Sequence, residues 1–194
     1  IEINKLKNPV GKQDQYISAF GGIKLFDFLE NEEVIVNALP FNQSILESLN
    51  DKLLLFFTGI SREANNILID QDERSKISED KIMTELDEIK NNINKIVSYL
   101  SNQNFDQFGL SMNEHWMKKK ERSPGMSSPF IDECYLTAIN NGALGGKLVG
   151  AGGGGFFLLY TNDPQKLRNA MTKKGLREMR FSFDEFGSVG GRST

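Results

Sequence analysis

Residues 145–160 read GGKLVGAGGGGFFLLY, a glycine-dense run that passes directly into an aromatic and aliphatic stretch. Each glycine costs about 0.5–1 kcal/mol wherever regular structure could otherwise form, so a row of them marks a turn that needs positive φ or a surface approached closely by other atoms. Successive backbone N–H groups in such a turn can also form an anion-binding nest, which makes phosphate the first ligand to test. A P-loop requires G-x-x-x-x-G-K-[ST] and then a helix, and no Lys-Ser or Lys-Thr follows Gly155. The dinucleotide pattern G-x-G-x-x-G fits Gly150, Gly152 and Gly155, but it also demands a helix next. Phe156-Phe157-Leu158-Leu159-Tyr160 reads instead as a buried strand. Two readings stay open from the residues alone: a tight connection between two strands, and a turn that touches phosphate.

The organisation around this turn decides the fold. Leu53–Thr58 (LLLFFT) reads as a buried strand stopped by Gly59, and Arg62–Ile69 as a short helix. From Ser78, an N-cap followed by Glu79 and Asp80, apolar residues fall at helical steps: Ile82, Leu86, Ile89, Ile93, Ile96 and Leu100. A second helix carries Phe105, Phe108, Met112 and Trp116 on one face. Its basic end, Lys118-Lys119-Lys120, suits the negative helix terminus and reads as a solvated helix end. Ser128-Pro129 opens a third helix, with Ile131, Cys134, Tyr135, Ala138 and Ile139 as its buried stripe and Gly142 at its end. Two strands then flank the glycine turn, Asp163-Pro164 opens another helix, and Glu178–Phe183 is a last strand. From Leu53 onward this is β-α-β-β-α-β, an α+β ferredoxin-like two-layer sandwich with extra helices in its first crossover. The preceding part holds a helix, Gly11–Phe20, capped at Gly21-Gly22, and a hairpin of Ile23–Phe28 and Val34–Asn37. It lies outside that cycle, so the chain divides into residues 1–45, read as the tail of another domain, and residues 46–194.

Composition narrows the function classes. Hydrophobic residues make up 39% of the 194, with 14 Phe, enough for a sizeable core. A net charge of −3 gives no electrostatic footprint for nucleic acid or an anionic membrane. No apolar run approaches 18 residues and no stretch resembles a signal peptide. The single Cys134 excludes an internal disulfide framework and fits a reducing cytoplasm; on its helix face it reads as packing rather than nucleophile. His115 is the only histidine, so a His/Cys metal cluster is not expected.

Two stretches read together carry a resemblance. Lys147-Leu148-Val149-Gly150-Ala151-Gly152-Gly153-Gly154-Gly155 resembles the C-terminal glycine motif of the GHMP small-molecule kinases, and Gly11-Lys12-Gln13-Asp14-Gln15-Tyr16 is similar to the G-x-x-D-Q segment of that superfamily's sugar kinases. In the form GKQDQY…AFGG joined to GALGGKLVGAGGGGF, with Thr58-Gly59…Arg62 and the late FSFDEFGS, it is most similar to the D-glycero-D-manno-heptose 7-phosphate kinase branch. The resemblance implies transfer of the ATP γ-phosphate to a sugar hydroxyl, with Mg²⁺, in the cytoplasm. A hexose kinase and a non-catalytic ferredoxin-like binding module are the alternatives. It implies that Asp14 is the catalytic base, with Lys12 its neighbouring cation; a carboxylate beside a cation is the pair such a proton transfer needs. It places Gly150, Gly152, Gly153, Gly154 and Gly155 beside the phosphates. Gln13 and Arg62 become substrate-binding candidates, Arg62 as a bidentate phosphate donor or else a surface arginine. Lys147 is a weaker candidate, since a strand lysine can face solvent. The family's nucleotide loop, P-x-x-x-G-L-x-S-S-A-like, has no match here, nor do its Mg²⁺ ligands, so no metal ligand is assigned. The expectation is a C-terminal portion whose ATP and Mg²⁺ contacts come mostly from an upstream half, its partner in activity.

Overall fold

A computed structural model of the chain describes residues 12–39, 41–60, 91–122, 125–150 and 152–188. Gly11, Arg62, the expected helix at Arg62–Ile69 and the Ser78 cap lie outside the described residues. The first elements are α1 (Gln13–Phe20) and the antiparallel hairpin β1 (Lys24–Phe28) and β2 (Val34–Ala38), paired from Lys24↔Ala38 to Phe28↔Val34. Gly21 ends α1 as expected, at φ +61°, its N–H donating to Ile17 O. In this region Tyr16 meets the edges of Phe26 and Phe28 and stacks on Phe20, while α1 itself buries no residue.

The helix α2 (Gln43–Lys52) was not anticipated. Asn42 caps it by accepting from Ile45 N at 3.0 Å, and Ile45 and Leu49, one turn apart, are its buried pair. Two apolar positions give little periodicity, and the helix runs without a spacer into β3 (Leu53–Phe57). The division at residues 45/46 falls inside its first turn.

Then follow α3 (residues 91–101), α4 (Phe105–Arg122), α5 (Pro129–Asn140), β4 (Ala143–Leu148), β5 (Phe156–Thr161), α6 (Pro164–Lys173) and β6 (Arg177–Met179). The strands form one antiparallel sheet in the order β4-β5-β3-β6, the ferredoxin-like order for a β-α-β-β-α-β unit. Pro129 and Pro164 each open a helix behind a capping side chain, Ser128 and Asp163, as expected. The last strand is shorter than expected. Its pairing ends at Met179, and Phe181 and Phe183 pack as an irregular strap, ring edge to face at 6.0 Å.

The sheet is covered on both faces, which explains why LLLFF is apolar without alternation. Leu54 and Phe56, with Phe157, Leu159 and Leu148, form one core with Ile131, Cys134, Tyr135 and Ala138 of α5 and Leu167 and Met171 of α6. On the other face Leu53, Leu158 and Tyr160 meet Ile45 and Leu49 of α2, Leu100 of α3, Met112 of α4 and the Phe181–Phe183 strap. The extra helices thus add a second core behind the sheet. Helix α4 approaches β4 backbone to backbone: a Cβ on Gly145 would collide with Gly109 O and lie 2.7 Å from Asn113 N. Trp116 of α4, fully buried, reaches round to Tyr135 of α5 at 6.1 Å. Among the described residues no helix is long and apolar enough to cross a membrane.

Candidate functional site

The connection between β4 and β5 is a built loop. Val149 N donates to Phe156 O at 2.8 Å and closes its base. Gly150, Gly152, Gly153 and Gly155 sit at φ +80°, +101°, +75° and +86°, where any side chain costs about 1–2 kcal/mol. Gly154 has ordinary φ but another constraint, since a Cβ there would lie 2.7 Å from Ile60 O. At Gly152 a Cβ would collide with Met126 Sδ. Three neighbours staple the loop: Gly153 N donates to Met126 O and Gly155 N to Ile60 O, both at 2.8 Å, while Gly155 O accepts from both the N–H and the Oγ1 of buried Thr58. The N–H groups of Gly153 and Gly155 are therefore occupied by carbonyls, and the expectation of a nest of successive free amides does not hold for these two. At Gly152 and Gly154 the approach that excludes a side chain comes from this chain's own Met126 and Ile60. Among the described residues, no atom lies within 4 Å of a Cβ added at Gly150 or at Gly155.

Two lysines come next, Lys119 against the loop and Lys147 on the strand that leads into it. Lys119, in the last turn of α4, donates from Nζ to Gly150 O at 2.9 Å. Lys147 lies on β4 opposite Leu158, on the sheet face that α4 covers. Burial, and then the charge of Lys147, lowers the Lys119 ammonium to about 8, and burial lowers Lys147 as well. Among the described residues neither forms an ion pair. Other cations do: Lys120 with Asp132 at 2.8 Å and Lys174 with Glu133. The basic run 118–120 is thus not a uniformly solvated helix end. Trp116, Lys119 and Lys120 share one helix face at steps of three and four, so the buried indole turns two of the three lysines towards the body of the domain. The signal was present in that spacing.

The helix α1 presents Lys12 at its N-cap position and Gln13 and Asp14, both exposed, in its first turn. Lys12 and Asp14 make no hydrogen bond or ion pair to the glycine loop among the described residues. Instead α1 is tied to the end of the described chain: Ser188 N and Oγ donate to Ser18 O, and Gly22 N donates to Asp184 O. Gly187 and Gly21 pass so closely that a side chain on either would collide with the other's backbone. Cys134 is fully buried and its thiol is pushed up by burial, in agreement with a packing role. No group of three His, Cys, Asp or Glu among the described residues is placed to hold a metal ion.

Residues 96–177 match the family described as GHMP kinases C terminal. Across 182 residues, 91% of the chain, the sequence is 34% identical to the D-glycero-alpha-D-manno-heptose 7-phosphate kinase of Campylobacter jejuni, and covers 52% of that enzyme. It is 29% identical over 168 residues, 84% of the chain, to the L-fucokinase/L-fucose-1-P guanylyltransferase of Bacteroides fragilis, covering 18% of it. Among solved structures, a D-glycero-D-manno-heptose 1-phosphate kinase from Bacteroides thetaiotaomicron superposes with a TM-score of 0.61 at 26% identity, over 96% of this chain and 50% of that one. The mevalonate kinase of L. major shares the fold at a TM-score of 0.65 and 20% identity, over 83% of this chain and 46% of that one. The chain spans about half the length of the heptose kinase it matches. The strand order and these matches agree: the fold is that of the C-terminal domain of the GHMP kinases, whose family model matches residues 96–177.

Proposed function

We propose that the chain serves an ATP-dependent kinase that transfers the γ-phosphate to a hydroxyl of heptose 7-phosphate. The observation that carries this reading is the 34% identity to a heptose 7-phosphate kinase across 91% of the chain. Phosphoryl transfer is mostly positioning and charge stabilisation, with one group to take the nucleophile's proton. Asp14, exposed at the first turn of α1 with Lys12 beside it, suits that proton acceptor, and Gln13 a sugar hydroxyl. Arg62 remains the candidate for the sugar's phosphate. The glycine loop, with Lys119 and Lys147, matches the charge of ATP's phosphates. Mg²⁺ is another matter: the described residues supply no cage for it, and no step is assigned to it here.

The test is transfer of labelled phosphate from ATP, measured on the 194-residue chain with and without the upstream half of the Campylobacter kinase. Heptose 7-phosphate, heptose 1-phosphate and galactose are compared as acceptors. The reading expects turnover with heptose 7-phosphate when the upstream half is supplied and none without it. Transfer to galactose in preference would establish the hexose-kinase alternative. A soluble, folded assembly inactive on all three sugars would favour the binding-module reading.

A further inference from the structure

Residues 181–188, FSFDEFGS, leave β6 as an irregular strap. Its first half is anchored, with Phe181 and Phe183 packed against the core behind the sheet. Its second half is shaped to meet α1. Asp184 accepts the Phe186 N–H on its carboxylate at 3.0 Å, which bends the strap, and its carbonyl accepts from Gly22 N. Gly187, at φ +62°, then passes so close that an added Cβ would lie 2.5 Å from Ala19 O and 2.7 Å from Gly21 N. Ser188 closes the joint by donating twice to Ser18 O, from its N–H at 2.8 Å and its Oγ at 2.9 Å. Ser18 in turn donates from Oγ to Asp14 O, one turn earlier, at 2.7 Å. A path of hydrogen bonds thus runs from the anchored strap to the backbone of Asp14.

We propose that this strap positions Asp14 for phosphoryl transfer, with Gly187 and Ser188 as positioning residues that act through Ser18. The role rests on the reading of Asp14 as the proton acceptor. Helix α1 needs such a hold: it has eight residues, buries none of them, and so short a helix is marginal by itself. Tyr16 fastens it to the hairpin, but the hairpin is a separate two-stranded sheet, and the strap ties both to the four-stranded one. Asp14 stands roughly 6 Å along the axis from Ser18, at about 1.5 Å per residue, so a tilt of about 10° there moves it by about 1 Å. A misplacement of that size costs about a hundredfold in rate.

The test is the phosphate-transfer assay with the upstream half supplied, run on strap variants alone and in an Asp14→Asn background. Gly187→Ala should lower kcat by about ten- to a hundredfold. Ser188→Ala, which keeps the N–H bond, should lower it by about two- to tenfold. Ser188→Thr, which keeps the hydroxyl, should restore the parent rate, and KM for ATP should stay within about twofold throughout. In the Asp14→Asn background the same strap changes should cost less than about twofold, because no base is left to position. A strap that only stabilised the fold would cut the residual activity by the same factor in both backgrounds. Hydrogen exchange of the α1 amides should quicken in Gly187→Ala while those of the sheet stay protected. Should Gly187→Ala not fold, the Ser188→Ala and Ser188→Thr pair in both backgrounds decides. Parent-like kcat in both Gly187→Ala and Ser188→Ala, or losses undiminished by Asp14→Asn, would overturn the proposal and leave the kinase reading standing. A parent assembly inactive on all three sugars would sink the kinase reading, and the strap's part in transfer with it.

Discussion

The two segments that carry the resemblance to sugar kinases are held in opposite ways. The glycine loop is locked from three sides, by Met126, Ile60 and Thr58, and four of its glycines sit where other residues are strained. The α1 segment buries nothing and leans on a two-stranded hairpin and a terminal strap. A loop that places backbone near a highly charged group has to be rigid, since an error of a fraction of an ångström changes every contact. A segment that offers an exposed carboxylate can be set by whatever packs upon it. The contrast teaches that motif density and structural constraint are separate properties.

The comparison is broken most forcefully at Asp14. Asp14→Asn should lower kcat by about 10²- to 10⁴-fold in the complemented assay while leaving the melting temperature unchanged, because the side chain is exposed and has no partner among the described residues. Near-normal turnover would remove Asp14 as the base. At the other pole Gly152→Ala should destabilise the domain by about 2–4 kcal/mol, combining positive-φ strain with a collision against Met126 Sδ. Gly155→Ala, strained but in open space, should cost about 1–2 kcal/mol. Equal losses in chemical denaturation would mean that Met126 moves aside and that the staple is weaker than described. Gly187→Ala sharpens the contrast from the other side. Its side chain would strike Ala19 O and Gly21 N, so α1 should detach and become cleavable in limited proteolysis while the sheet melts almost as before. A large fall in the melting of the whole chain would show that strap and sheet unfold as one unit.

The smallest effect is a matter of pH. Lys119 has a folded-state pKa near 8, below that of an ordinary lysine, so between about 8 and 10.5 the unfolded chain binds more protons than the folded one. Stability contributed by this group is therefore lowest below pH 8 and recovers as pH rises through that window. The charge acting on it is that of Lys147 from β4, while its neighbour Lys120 is paired with Asp132 of α5. Lys119→Met should flatten this part of the stability profile and raise the melting temperature slightly at pH 7 without phosphate. An unchanged slope would place Lys119 in water.

Much of the fold was legible because its elements announce themselves. Proline behind a capping residue opens α5 and α6, apolar stripes at steps of three and four mark α4 and α5, and LLLFF and FFLLY can only be buried strands. The helix α2 escaped because two buried residues make no stripe. Phe181 and Phe183 suggested strand because alternating aromatics do so whether or not a partner edge is available. The site was legible only where chemistry is local. Positive φ at Gly150 and Gly152 follows from the run itself, whereas Lys119 meeting the loop is a contact 31 residues apart that no local pattern states. That Gly154 is forced by Ile60 O was likewise invisible, since it depends on how two loops cross.

The clasp between Ser18 and Ser188 joins residues 170 positions apart, and this sets a clock for the newborn chain. At roughly 5–20 residues per second, the strap that receives α1 emerges some 10–30 s after it. During that interval Tyr16, Phe20, Phe26 and Phe28 form an aromatic cluster with no strap beside it, while the sheet between them is still being assembled. The α1 segment is thus among the last to be secured, and a pause anywhere between the two serines would prolong its exposure by the pause's own length.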